Sequence, residues 1–284
     1  MSEQIDPVSA DELADAVGTL REGEPLVQHL TNEVTMNDVA NVTLYWGALP
    51  VMADSPGDAG QMAELAGAIL LNVGQVPEPK IDAMAEAGRT ANERGIPVVL
   101  DPVGVGATAA REEAAQRLLS EIDFAAVKGN YGEISALAGV EAEVKGVESV
   151  GEYEEIEETA RAVADSTGAV VVASGVEDVV ADAETAYTIA AGHERMGQVV
   201  GTGCLLGATL AAFCGAFAGT DRDPLEGALY GTLAFDLAGE RAAERDHEGP
   251  ASYRVNFLDS VAGFTADVAA DLEVDLAERV ERVS

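Results

Sequence analysis

Short apolar runs alternate along this chain with longer stretches whose apolar positions recur at helical spacing. Residues 25–30, 48–52, 68–73, 97–100, 124–127 and 169–173 are short, mostly apolar runs, the pattern of strands buried on both faces. Between them, residues 33–46, 58–65, 79–94, 111–120, 131–138 and 149–165 carry helical patterning. The alternation predicts a mostly parallel central sheet with helices on both faces, a three-layer α/β/α fold. From 176 to 196 the pattern shortens to small β segments between turn signals, which predicts antiparallel strands at one edge. Helical stretches follow at 202–217, 224–244 and 252–279. Neither a linker nor a repeat interrupts the pattern, so residues 1–284 read as a single domain.

Residues 199–220 carry no charge and are about long enough to span a bilayer. Their glycines and modest content of large aliphatics read instead as a helix buried inside the domain. The acidic run 151–159 reads as the solvated face of a helix, and the cluster at 240–248 as a helix end and loop.

Charge changes the picture of partners. The chain has 51 acidic and 16 basic side chains, a net charge of −35, and 48% hydrophobic residues. That hydrophobicity excludes an acidic disordered tail. The charge argues against nucleic acid or an anionic membrane as a partner, since both need clustered Lys and Arg. Lysine occurs only at Lys80, Lys128 and Lys145. Such acid-rich, lysine-poor chains suit concentrated salt, which screens self-repulsion, so a halophilic protein is expected. Cys204 and Cys214 form neither a CxxC pair nor a disulfide framework, and the N-terminus lacks a signal peptide's basic and apolar regions. A cytoplasmic location is the expectation.

In an open α/β sheet, ligands bind beyond the carboxyl ends of the strands. Polar and glycine residues gather there: Asp101 to Gly106, Lys128 to Glu133, Ser174-Gly175, and Gly201-Thr202-Gly203-Cys204. A glycine-rich helix start aims free N–H groups and the dipole's positive end at an anion. The alternative is a plain helix start with glycines for packing. No GxxxxGK[ST] is present, and Gly207 falls one residue late for GxGxxG, which disfavours Walker and Rossmann sites. Cys204 falls in the first turn, where the dipole is expected to lower a thiol pKa; it reads as a base, a nucleophile or an inert small side chain. Asp101 and Glu133 suit Mg²⁺, held directly or through water beside a triphosphate, or else are simple N-cap or surface acids. Lys128 suits phosphate charge, or else pairs with surface acids.

PLVQHLTNEVTMNDVAN, GALPVMA, LDPVGVGAT, VKGNYGEI, ASGVEDVV and VVGTGCLLGATLAAF occur in this order from about Pro25 to beyond Phe217. Together they resemble the hydroxyethylthiazole kinases of the ribokinase-like superfamily. The resemblance implies ATP- and Mg²⁺-dependent phosphorylation of the hydroxyl of 4-methyl-5-(2-hydroxyethyl)thiazole, giving thiazole phosphate for thiamine diphosphate. It also implies a homotrimer with sites at subunit interfaces. By motif, it assigns thiazole contact to Met52, ATP contacts to Lys128 and Ser174, substrate contact to Gly201, and the metal to Asp101 and Glu133. Cys204 takes the catalytic-base position, where most ribokinase-like enzymes have Asp. Asn32, in the TN motif, is a further substrate candidate. The chain departs from the family pattern at Gln28-His29, at Tyr131 and at Val176-Glu177; His29 receives no role.

The expected chemistry is in-line transfer of the γ-phosphoryl to a primary alcohol, in which positioning and charge stabilisation outweigh a strong base. The alternatives are a hydroxymethylpyrimidine or sugar kinase, an NAD(P)H-hydrate dehydratase on the same fold, and a nucleotide-binding regulator without turnover. PVMA with GTGCLL argues against the first.

Overall fold

The computed structural model describes residues 8–139, 144–145, 148–149 and 155–283. The first half runs α1 (Ala10–Gly23), β1 (Leu26–Leu30), α2 (Met36–Tyr45), β2 (Leu49–Val51), α3 (Ala59–Ala63), β3 (Ala68–Asn72), α4 (Glu78–Arg94) and β4 (Val98–Asp101). It continues through α5 (Ala109–Glu121), β5 (Ala126–Asn130), α6 (Tyr131–Leu137), a short hairpin of β6 (Val144–Lys145) with β7 (Glu148–Ser149), and α7 (Ile156–Thr167). Then come β8 (Val170–Ser174), β9 (Asp178–Ala181), β10 (Ala186–Ile189) and a 3₁₀ segment, Glu194–Gln198. The chain closes with α8 (Thr202–Phe217), α9 (Pro224–Ala243), α10 (Pro250–Ala262), α11 (Ala266–Ala270) and β11 (Val280–Val283).

Nine strands form the main sheet in the order β11-β10-β9-β8-β5-β4-β3-β1-β2. The pairings from β2 to β8 are parallel, and β9, β10 and β11 add antiparallel at one edge. Successive strand residues enter opposite cores, as a two-residue period requires. Ala68, Leu70, Val99, Ala126, Val170 and Val172 pack with α1, α2 and α8 to α11. Ile69, Leu71, Val98, Leu100, Val127 and Val171 pack with α3 to α7. The result is the expected α/β/α arrangement.

The uncharged stretch forms the buried helix α8, bounded as its sequence predicts, with twelve of sixteen residues buried. No helix among the described residues is long and apolar enough to cross a membrane. Trp46, fully buried, donates through Nε1 to Thr209 Oγ1 at 2.8 Å and meets Phe213 edge-on, fastening α2 to α8.

Three segments differ from the sequence pattern. The helix α1 goes unpredicted, although Ser9 and Glu12 form a reciprocal capping box and Leu13, Ala16, Val17 and Leu20 line its buried face. The helix expected from residue 149 starts at Ile156: Ser149 is in β7, and residues 150–154 lie outside the described set. Within the acidic run, Glu158 is exposed and Ile156 is buried, as a solvated helix face requires. The stretch 252–279 is not one helix. It stops at Gly263, restarts behind the Thr265 cap as α11, and leads into β11, which pairs with β10.

The topology sets the site. From β1 the chain runs outward to β2, whereas β3 returns on the other side of β1 and leads to β4 and β5. The loops after β1 and β3 therefore diverge, leaving a crevice at the strands' carboxyl ends.

Candidate active site

The two-residue period explains which polar side chains meet. Asn72 follows Ala68 and Leu70 on the α8 face of β3, Asp101 follows Val99 on β4, and Lys128 follows Ala126 on β5. Ser174 follows Val170 and Val172 on β8. The polar ends of four neighbouring strands thus face the start of α8.

That start is open. Gly201, at φ +92°, precedes the helix, and no side chain caps it. First-turn N–H groups have no intrahelical partner; that of Thr202 turns back to Val199 O at 3.4 Å, and those of Gly203 and Cys204 are left to a ligand. A Cβ on Gly201 would lie 2.4 Å from Thr35 Cγ2, and one on Gly203 would lie 2.7 Å from Lys128 Nζ. Both glycines let neighbours approach the backbone, and the second places the ammonium against the helix N-terminus.

Asp101 is fully buried. Its Oδ2 accepts from Asn72 Nδ2 at 2.6 Å, while Oδ1 lies 3.6 Å from Lys128 Nζ and has no hydrogen-bond partner. Burial pushes its pKa up to about 6, against the pull of Lys128. Burial alone would lower Lys128, but Asp101 and Glu133 outweigh it and keep the ammonium charged. Asn72 connects the cluster. Its amide also donates to Cys204 Sγ at 3.2 Å, and its oxygen accepts from Asn32 Nδ2 at 2.9 Å. Asn32 Oδ1 in turn accepts the Thr35 N–H at 3.1 Å and shapes the turn into α2. Sequence reasoning missed Asn72; its signal was a polar residue closing the alternation at 68, 70 and 72.

Cys204 does not show the lowered pKa expected of a first-turn thiol. Burial raises it and the Asp101 carboxylate raises it further, with Lys128 opposing. The group facing the crevice is therefore a neutral thiol. Cys214, deeper in α8, is also pushed up by burial, to about 12.

Glu133 closes α6. Its Oε2 accepts the Asn130 N–H at 2.8 Å, Asn130 Oδ1 accepts the Glu133 N–H at 2.9 Å, and Oε1 accepts the Gly104 N–H at 2.6 Å. The donor set fits Mg²⁺ in one respect: Asp101 Oδ1 is a bare, buried carboxylate oxygen. Among the described residues, no three His, Cys, Asp or Glu side chains converge on a metal position. Mg²⁺ commonly takes one or two carboxylates, substrate phosphates and waters, so the set suits an ion arriving with a nucleotide.

Ser174 lines a cavity of about 470 Å³ that also includes Gly203, Thr202 and Asp178. The Tyr131 ring covers Gly175, where a Cβ would lie 2.3 Å from the ring, and its hydroxyl donates to Glu177 O. The departure at Tyr131 thus shapes the wall beside Ser174.

Met52 lies on the other wing, half-buried beyond β2. Two residues brace its loop. Gln28 Nε2 donates to Ala53 O at 2.8 Å and Ala59 O at 3.0 Å. Lys80 pairs with Asp54 at 3.3 Å and donates to Thr31 O, tying the Met52 loop to the Asn32 turn. His29 is buried, with Nε2 and Thr43 Oγ1 3.0 Å apart, and burial lowers its pKa to about 3. It is a neutral core residue.

Comparison with known proteins gives one consistent result. A model of the "HK: Hydroxyethylthiazole kinase family" matches residues 17–267. The hydroxyethylthiazole kinase of Natronomonas pharaonis is 52% identical over 275 residues, 97% of each chain. The structure of a hydroxyethylthiazole kinase protein from Pyrococcus horikoshii OT3 superposes with a TM-score of 0.83 at 34% identity, covering 96% of this chain and 99% of that one. A ribokinase-like superfamily protein from Enterococcus faecalis, 13% identical, shares the fold with a TM-score of 0.64, covering 91% and 96%.

Proposed function

This chain belongs to the hydroxyethylthiazole kinase family, and from that premise we propose that it phosphorylates the hydroxyl of 4-methyl-5-(2-hydroxyethyl)thiazole with ATP. The product is the thiazole phosphate used for thiamine diphosphate. The observation that carries the reading is the uncapped start of α8, set against Lys128, Asp101 and Cys204.

The first-turn N–H groups of α8 and Lys128 hold the transferring phosphoryl and stabilise its charge. Ser174 contacts ATP from the cavity wall. Met52, Asn32 and Gly201 contact the thiazole alcohol, with the two wings held together through Lys80. Asp101, with its bare oxygen, and Glu133 would hold Mg²⁺. When bound, the ion offsets phosphate charge. Cys204 occupies the catalytic-base position, where its neutral thiol orients the alcohol. The loose transition state leaves little for a base to do before bond formation is advanced. The hydroxyl proton leaves with the transferred phosphoryl group, onto a phosphate oxygen, since a neutral thiol already carries its own proton.

Val34, Leu44 and Leu49 are 72%, 52% and 47% exposed, in the turn after β1, on α2 and on edge strand β2. Large apolar residues exposed beside Asn32 and Met52 support a subunit interface at the site, and the family resemblance makes the assembly a homotrimer. We take residues 1–284 as one cytoplasmic kinase domain adapted to salt.

The test is a coupled assay of ADP release in molar KCl with Mg-ATP. The thiazole alcohol is expected to drive release, and hydroxymethylpyrimidine and NADPH hydrate to give none. Release indifferent to the alcohol, or driven by another acceptor, overturns the reading. Activity is expected to fall on dilution into millimolar salt.

A further inference from the structure

One side chain at the centre of the site takes no part in the chemistry above. Asn72, at the carboxyl end of β3, is fully buried, and the β3–β4 register sets it opposite Asp101. Its amide is engaged at every position. The oxygen accepts from Asn32 Nδ2 at 2.9 Å and from the Gly74 N–H at 3.1 Å. The two hydrogens on Nδ2 go to Asp101 Oδ2 at 2.6 Å and to Cys204 Sγ at 3.2 Å. A flipped amide would set its oxygen against a carboxylate and its hydrogens against two donors, so both ends impose this orientation. Gly74 permits the close turn: a Cβ there would lie 2.7 Å from Asn32 Cβ and 3.0 Å from Asn72 Oδ1.

Each partner is left with one free face. With Oδ2 taken, Asp101 keeps Oδ1, which has no hydrogen-bond partner among the described residues. The sulfur of Cys204 accepts from Asn72 and, at 3.5 Å, from Asn32 Nδ2. Two amides on the sulfur leave the thiol its own proton to offer. The carboxylate serves the phosphate side of a phosphoryl transfer and the thiol serves the alcohol side. A single amide nitrogen bridges the two.

We propose that Asn72 is a positioning residue that sets the two reacting sides against each other, keeping Asp101 Oδ1 free for Mg²⁺ and turning the Cys204 thiol proton toward the alcohol oxygen. The proposal rests on the kinase reading above.

Two variants of the whole protein, assayed in molar KCl, test this. Asn72→Leu fills a similar volume without donors. Asn72→Asp keeps the shape and the acceptor side, and puts an acceptor where the donors were. Both are expected to lose roughly 10²-fold in kcat with each KM within about threefold, the signature of misplaced rather than unbound reactants. Infrared spectra of the thiazole-alcohol complex, without ATP or Mg²⁺, give a second readout. The S–H band of Cys204 is the one missing from Cys204→Ser. In the wild type the alcohol is expected to lower its frequency, as the thiol donates. In Asn72→Leu the band is expected to lie low beforehand and not respond, because the thiol turns to the bare Asp101 Oδ2. Thermal melting checks folding; if Asn72→Leu does not fold, Asn72→Asp and the wild-type band carry the test. Full kcat in the folded variants beside an active wild type, or a wild-type band indifferent to the alcohol, overturns the proposal alone. Loss in Asn72→Asp with full activity in Asn72→Leu overturns it too, since added charge would then be the cause. A wild type that does not phosphorylate the alcohol overturns the kinase reading, and this proposal with it.

Discussion

Two helices begin beside Asp101, and their first residues contrast position by position. The helix α6 opens Asn130-Tyr131-Gly132-Glu133; α8 opens Gly201-Thr202-Gly203-Cys204. Both have glycine at the second helical position. In α6 the flanking Asn and Glu satisfy each other's backbone N–H groups, and the spare Glu oxygen takes the Gly104 N–H. In α8 the corresponding places hold a glycine without a side chain and a cysteine that accepts from Asn72 and Asn32. A sealed N-terminus contributes stability. An unsealed one, with an ammonium beside it, keeps its donors for an anion. The same sheet edge thus carries a brace and a binding site, distinguished by two residues.

Filling the open start is expected to have the largest effect. Gly201→Val forces a β-branched residue onto φ +92° and into Thr35, so the first-turn amides must move. Turnover at saturating substrate is expected to fall more than about 10³-fold, since losing one oriented donor already costs ~10²–10³-fold. Circular dichroism checks the fold; a folded, active variant would break the comparison.

Asp101→Asn comes next, with an expected loss of roughly 10²-fold, the scale of several kcal/mol of metal charge stabilisation. It also predicts opposite pH trends. With its pKa raised to about 6, Asp101 is neutral in acid, so kcat/KM should rise through pH 6 as the carboxylate forms. Stability should run the other way. The folded pKa lies above the ordinary aspartate value of 3.8, so the folded state binds more protons between the two. The stabilisation is complete below about 3.8 and is lost as pH rises through about 6. In the Asn variant this share of the pH slope should vanish from thermal melts. An unchanged slope would show that other groups govern it. Asp178, also pushed to about 6 by burial, adds a parallel slope that remains in the variant.

The legible and illegible parts of the chain follow from the range of the interactions involved. Strands buried on both faces announce themselves as mostly apolar runs, and α8 does so as an uncharged stretch between Gly201 and Ala218. The break at Gly263 was hidden, because Phe264 is fully buried and the segment beyond it pairs as β11 with a strand some ninety residues earlier. Asn72 escaped for a related reason. Its importance lies in register: the pairing of β3 with β4 sets it opposite Asp101, and no local motif contains both. Nothing local sets Asp236 apart among 51 acidic residues; only the packing of α9 buries it against the cavity. The glycines at 201 and 203 were readable as a ligand loop, but the contacts that require them, with Thr35 and Lys128, are also tertiary.

The smallest effect is expected where the comparison is most exposed, at Glu133. If this side chain chiefly braces α6, Glu133→Gln should act on stability more than on catalysis. The amide keeps one acceptor oxygen and turns a donor toward a backbone N–H that already needs an acceptor. Loss of half a capping box costs about 1 kcal/mol, or about 2–4 °C in melting temperature for a chain of this class. Activity should stay within roughly tenfold, because a contact made through the metal's water shell is replaceable. A Mg²⁺ titration separates the two roles. A half-saturation point that barely moves while the melting point drops keeps Glu133 as the brace. A large rise in the Mg²⁺ requirement with unchanged melting would make Glu133 a direct ligand and require its carboxylate to leave Gly104 and Asn130 when the nucleotide binds.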